Sequence, residues 1–272
     1  MSLVKQFLIL AASAALLTPL TSLAQVEVKD VTTRAGVTVK LVYAKATNPV
    51  ASAILFPDGF SSNPIFANGD VKTANFLASD VTKFAQNGIS VLFADVPSDQ
   101  NGWNKFRNTP EHALDNATLL AFLKQQANVP VWVIGHGNGG LSAASFALSN
   151  RDVAGVVLAS PTQKAPFGTS AAHVVSSAAI EQLKQPVLML QHKEDSCMIS
   201  KYEGAQEIFM ALKAAKKKEF ITLEGGSSSS GIAGYNNPCY RGYHGYFGIE
   251  DAVIKQMADW IKAAQAEIKP AN

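Results

Sequence analysis

The stretch VWVIGHGNGGLSAASFAL, Val131 to Leu148, decides how the rest of the chain is read. Its first six residues are apolar and β-branched and end on a glycine and a histidine, which reads as a buried strand. Its last eleven are rich in Ala, Ser and Leu, which reads as a helix. Between them lies the turn Gly135-His136-Gly137-Asn138-Gly139-Gly140. A strand, a sharp turn flanked by small residues and then a helix is the setting of the Gly-x-Ser-x-Gly pattern, which lifts a serine hydroxyl above a sheet. Gly135 and Gly139 match its two glycines, and the position of the serine is Gly137.

Working outward, the chain repeats the same alternation. VEVKDVTTRAGVTVKLVYAK alternates polar and apolar residues about Arg34-Ala35-Gly36, which predicts a hairpin. ASAILFPDGF is a buried strand feeding a loop at Asp58-Gly59. Val71, Phe76, Leu77, Val81 and Phe84 fall at helical spacing with Gly88 as the stop. ISVLFADVP is a further strand, and Thr109-Pro110-Glu111 opens a helix with proline at its first position. After the central turn, VAGVVLASP reads as a strand, Ala178 to Leu183 as a short helix and PVLMLQH as a strand. Tyr202 to Lys217 reads as a helix whose basic end, Lys213 to Lys218, offsets the helix dipole. EFITLE is the last strand and Gly248 to Ala266 the last helix. Gly225 to Pro238 lacks periodicity and reads as a surface loop. Apolar strands alternating with helices predict a mostly parallel sheet covered on both faces, with an antiparallel N-terminal edge.

The chain has 272 residues, 47% of them hydrophobic, and shows neither a linker nor a fixed repeat, so one α/β domain over 25–272 is expected. A net charge of +2 supplies no footprint for nucleic acid. Lys5, the apolar run Phe7 to Leu17 and Ser22-Leu23-Ala24 before Gln25 form a secretory signal over residues 1–24. Pro19 and the neighbouring Thr and Ser residues keep the apolar run too short for a span. The mature chain is therefore expected to be periplasmic or secreted, without a stable membrane anchor. In an exported chain, two cysteines and no third suggest one disulfide, Cys197 to Cys239. The histidines lack metal-ligand spacing and GHGNGG lacks the lysine of a phosphate loop, so neither a metal nor a cofactor is expected.

Open α/β sheets place their active groups beyond the carboxyl ends of the strands. Lys193-Glu194-Asp195 follows one late strand, and His244 stands shortly before the last helix. With GHGNGG, QHKEDSC and YHGYFGIEDAVIKQMADWI in this order, the sequence resembles the α/β-hydrolase superfamily along essentially the whole mature chain. The resemblance implies that Asp195 is the triad acid and His244 the base. It also implies an oxyanion hole made by the backbone N–H of Asn138 and one from the loop Asp58-Gly59-Phe60. The departure is Gly137, the nucleophile position, where no hydroxyl is available. Ser142 and Ser145 lie further along the helix and do not reach the turn. The disulfide would tie the acid loop to the histidine loop.

Three readings follow. The chain is a pseudo-hydrolase that keeps a pocket for a small ester or acyl ligand. Alternatively, His244 held by Asp195 activates a water in the space that a serine would fill. In the third reading an ordinary serine esterase carries an inactivating Ser-to-Gly change. His136 reads as a packed or pocket-edge residue and His192 as structural. Arg107, Glu111, His112 and Asp115 read as capping and surface pairing at a helix start, with His112 able to line the cleft. His173 falls in a Ser/Ala-rich stretch. No protein partner is legible.

Overall fold

Eight strands join in one sheet among the described residues: β1 (Gln25–Arg34), β2 (Val37–Lys45), β3 (Ala51–Phe56), β4 (Ile89–Ala94), β5 (Val131–His136), β6 (Val153–Ala159), β7 (Val187–His192) and β8 (Lys218–Leu223). The structure, a computed structural model, describes residues 25–72, 75–164, 174–229, 231 and 236–267. The strand order is β1-β2-β4-β3-β5-β6-β7-β8. β1 and β2 form the expected hairpin about Gly36, and β2 runs antiparallel to β4. Every pairing from β4 through β3 to β8 is parallel.

The helices are α1 (Phe76–Ser79), α2 (Val81–Gln86), α3 (Pro110–Gln126), α4 (Gly139–Ser149), α5 (Tyr202–Ala211) and α6 (Glu250–Glu267). They divide between the two faces of the sheet. Alternate residues of one strand point to opposite faces, so an all-apolar strand serves two cores at once. Trp132 and Ile134 of β5 pack in one core with Phe76 of α1, Phe84 of α2 and Met257 of α6. Val131 and Val133 pack in the other with Leu119 of α3, Phe146 of α4 and Ile208 of α5.

Several helices are shorter than their patterns predict. The helix expected from Val71 to Phe84 is two short ones, and Val71 instead bridges Ile65 outside any helix. Asp80 ends α1 and starts α2, because its backbone has left the helical region. In place of the short helix at Ala178–Leu183 there are two 3-10 turns, Val175–Ser177 and Ile180–Gln182. α5 ends at Ala211 rather than Lys217, because the chain must return to pair β8 with β7; Lys216 N–H donates to Lys184 and Val187 N–H to Lys217. The lysines from 213 onward leave the helix and Lys218 opens β8, yet Lys218 Nζ still donates to the Phe209 carbonyl in the last turn of α5 at 3.1 Å.

The order β4-β3-β5 matters for function. The chain leaves β3 toward β4 on one side and later returns to place β5 on the other. Loops after β3 and β5 therefore meet at the carboxyl edge, the place where open α/β sheets carry their sites. Asp58 follows β3 there and Gly137 follows β5.

Across the sheet, β6 carries Gly155 against the ring of Trp132, which meets Trp260 edge-on at 5.7 Å. A Cβ at Gly155 would lie 2.1 Å from Trp132 Cζ3. Gly155→Ala therefore overpacks this core and is expected to destabilise the fold by about 1–3 kcal/mol. Urea unfolding checks this; an unchanged midpoint would show that the Trp132 ring can move aside.

Candidate active site

The turn after β5 is built by close approach. A Cβ at Gly135 would lie 2.4 Å from the carbonyl oxygen of Gly139, and one at Gly139 would lie 2.1 Å from that of Phe56. Both flanks must be glycine for space. Gly137 lies between them at φ +53°, in the left-handed region that glycine enters without penalty. Gly137 N–H donates to Ala159 at 3.0 Å, and Gly140 N–H donates back to Gly137 at 3.1 Å, which fixes the turn at the start of α4.

The side-chain position at Gly137 is occupied by another residue. A Cβ built there would lie 2.1 Å from Asp58 Oδ1 and 2.2 Å from Asp58 Cγ. The Asp58 carboxylate thus fills the volume that a serine side chain would take. Its Oδ1 accepts the Asn138 N–H at 2.7 Å. That N–H is the donor expected of an oxyanion hole. The loop Asp58-Gly59-Phe60 was expected to add a second backbone N–H, but Asp58 brings the anion itself. This corrects the role expected of Asp58. It also takes the space expected for a water beside Gly137.

Asp195 and His244, expected as triad acid and base, are brought together. His244 Nδ1 lies 2.9 Å from Asp195 Oδ2, and His244 Nε2 lies 3.5 Å from Asp58 Oδ2. Asp195 is held on both oxygens: Oδ2 also accepts from Gln191 Nε2 at 2.8 Å, and Oδ1 accepts from Cys197 N–H at 2.9 Å. The imidazole is therefore flanked by two carboxylates. Burial opposes charge on His244, but the charges of Asp195 and Asp58 and their hydrogen bonds outweigh it and push its pKa up to about 10. Burial likewise works to raise Asp58, yet the hydrogen bond and charge of His244 hold that carboxyl well below the usual carboxylate range. Both ring nitrogens thus face carboxyl oxygens, an arrangement that favours the charged ring. An imidazolium has no lone pair with which to deprotonate water.

A buried frame holds this row. Arg107, 1% exposed, donates to the carbonyls of Pro57 at 2.8 Å and Gly59 at 2.6 Å, one on each side of Asp58. Its third bond, to Ser142 Oγ at 3.1 Å, anchors the same loop to α4. Burial lowers Arg107 to about 9. Arg107 was expected at the surface; its aromatic neighbours Trp103 and Phe106 in the sequence were the available signal that it turns inward. The Trp103 ring lies 5.0 Å from its guanidinium. His112 is also buried, against Phe56, Trp103 and Phe106, and burial together with the charge of Arg107 lowers it to about 3. Asp115 is buried and pairs with Arg34 of β1 at 2.8 Å, while Glu111 stays exposed in the first turn of α3.

His136 Nε2 donates to the His244 carbonyl at 2.9 Å, and its Nδ1 lies 3.2 Å from Asn75 Nδ2. It is a packed residue, held neutral by burial and by the charge of His244, with its pKa lowered to about 4. Ser160 Oγ reaches the same carbonyl at 3.1 Å. His192 stacks on Tyr243 and contacts the Gly225 carbonyl at 2.9 Å, a structural role. His173 lies outside the described residues. The disulfide Cys197–Cys239 joins the acid loop to the segment before His244, as expected from the sequence. Among the described residues no cluster of three or more His, Cys, Asp or Glu side chains is disposed to hold a metal, and no helix is long and apolar enough to cross a membrane.

Sheet, turn, acid and histidine together define an α/β-hydrolase fold. A profile of the family described as serine aminopeptidase, S33, matches residues 64–207, just over half of the chain, and the chain belongs to that family. The match contains Gly137 and Asp195 but neither Asp58 nor His244. Est1E from Butyrivibrio proteoclasticus is similar in structure, with TM-score 0.58 and 13% identity over 89% of this chain and 100% of that one. The esterase domain of a Rhodothermus marinus protein has TM-score 0.57 and 16% identity, covering 88% and 98%. An alpha-beta serine hydrolase homologue from Coxiella burnetii has TM-score 0.56 and 13% identity, covering 85% and 95%. No curated protein sequence matches the chain.

Two outcomes follow from this geometry. The charge on His244 stabilises the fold fully below its unfolded pKa of about 6.5, and that contribution is lost as pH rises through about 10. The contribution of Asp58 is present above its unfolded pKa of about 4 and is lost as pH falls further. Melting temperature measured from pH 4 to 10 should therefore fall on the alkaline side, and His244→Gln should remove part of that slope; equal slopes would rule out the charged row. Cys197→Ser opens a closure spanning 42 positions, a loss of about 4 kcal/mol in the chain-entropy model. Chemical denaturation of oxidised wild type and variant reads that loss, and two freely alkylating thiols in the wild type would contradict the bond.

Proposed function

We propose that the chain is an exported α/β-hydrolase-fold protein that has lost acyl transfer through an elbow serine. It is a pseudo-hydrolase with respect to the ester chemistry of its fold. The observation that carries this reading is the Asp58 carboxylate at the vacant side-chain position of Gly137, bound to the Asn138 N–H. An anionic tetrahedral intermediate needs that donor, and the site already spends it on an internal anion. Export is supported by the charged and apolar segment before Gln25 and by the disulfide, a bond that persists in oxidising compartments. Reading His244 as a base for water is disfavoured by its two carboxylate partners. Reading the chain as an esterase with a single inactivating change is disfavoured by Asp58, since restoring serine alone leaves the overlap in place.

A fluorophosphonate probe is accordingly expected to leave every serine unlabelled. Gly137→Ser alone is expected to remain inactive on p-nitrophenyl acetate, because the new side chain meets Asp58. Gly137→Ser with Asp58→Gly clears the space and frees the Asn138 N–H, and should show an acyl-enzyme burst. Burst kinetics on the purified mature proteins check both. A burst in the single variant would show that Asp58 does not guard the position.

A further inference from the structure

Away from the row, a groove of about 590 Å³ lies between the start of α3 and the second half of α4. Arg107 and His112, 1% and 3% exposed, form its floor. Leu114 and Ala117 of α3 line it, as do Ser145 and Phe146 of α4. Arg107 is the one charged side chain among its lining residues, because burial holds His112 neutral.

Holding the Asp58 loop does not exhaust Arg107. Its bonds to Pro57, Gly59 and Ser142 use three of the five N–H bonds of the guanidinium, and all three acceptors are neutral. Nε is buried without a hydrogen-bond partner, and so is Nε2 of His112. A buried cation that meets only neutral acceptors is costly, and so is a buried donor that meets none. Two such nitrogens, on the two side chains that floor one groove, share one remedy: an anionic acceptor that enters it. From this geometry we infer that the groove binds a monocarboxylate on an apolar chain, with the carboxylate at Arg107 and the chain along Leu114, Ala117 and Phe146.

The chemistry of the lining selects this class. One guanidinium without a second cation matches a single negative charge, not a phosphate dianion. Thr109 and Pro110, at the start of the 17-residue α3, line the same groove, so the positive end of the helix dipole adds to the charge of Arg107. An uncharged alcohol would leave that cation unpaired. The apolar wall rewards a chain: each methylene taken out of water tightens binding by about four-fold. The volume falls within the roughly 300–1,000 Å³ typical of small-ligand sites. A ligand at Nε leaves the bonds of Arg107 to Pro57 and Gly59 in place, so the arginine serves groove and loop together.

This inference does not depend on the loss of serine chemistry proposed above. The test is calorimetric titration of the oxidised mature chain with octanoate. Wild type should bind it at one site, with hexanoate roughly tenfold weaker. 1-Octanol, of the same chain length without the charge, should also be roughly tenfold weaker. Arg107→Gln should abolish binding. Because Arg107 also holds the Asp58 loop, two variants at the rim keep the test decisive if that one does not fold. Leu114→Glu sets a like charge at an exposed position, and Ser145→Trp fills the groove from α4. Each should weaken octanoate by roughly tenfold or more while the melting curve shows a folded chain. An octanoate analogue carrying a photoreactive diazirine should label peptides of α3 or α4. No binding to folded wild type, equal binding of 1-octanol, unchanged binding in a folded rim variant, or labelling confined to other elements overturns the inference.

Discussion

The buried imidazolium of His244 is the interaction around which the carboxyl edge of the sheet is arranged. A charged ring is costly to bury unless it is paired and hydrogen-bonded. Here each ring nitrogen faces a carboxylate, and each carboxylate has further donors of its own. The carboxylates come from loops after β3 and β7, and the ring from the segment before α6. Three loops distant in sequence are thereby tied to one ring. The disulfide and the bonds of Arg107 hold the same loops covalently and through backbone carbonyls, so the row is preorganised rather than assembled on demand.

Much of this was legible in the sequence because it rests on local rules. Continuous apolar strands such as VWVI and VLMLQ announce a sheet buried on both faces. Gly135 and Gly139 announce a turn whose flanks touch backbone. The placement of Asp195 and His244 follows from chain order and the carboxyl-edge rule. Helix ends were less legible, since they depend on tertiary demands. α5 stops where β8 must reach β7, and Asp80 divides what periodicity alone would join.

Asp58 was misread for a specific reason. A loop after a first buried strand suggests backbone donors, and nothing local in PDGF says where the carboxylate points. Its direction is set by a void seventy-nine positions away, at a residue with no side chain. The signal lay in combining two oddities, a missing hydroxyl at 137 and an unexplained acid at 58, with only one histidine between two acids. Arg107 escaped for a similar reason: a lone arginine near a helix start usually faces water, and its burial depends on carbonyls left free by the same loop.

The overlap between positions 58 and 137 also couples the two residues. A side chain at 137 and a carboxylate at 58 compete for one volume, so the two cannot be exchanged in arbitrary order. The two positions are thus coupled, since any side chain at 137 requires the Asp58 carboxylate to move.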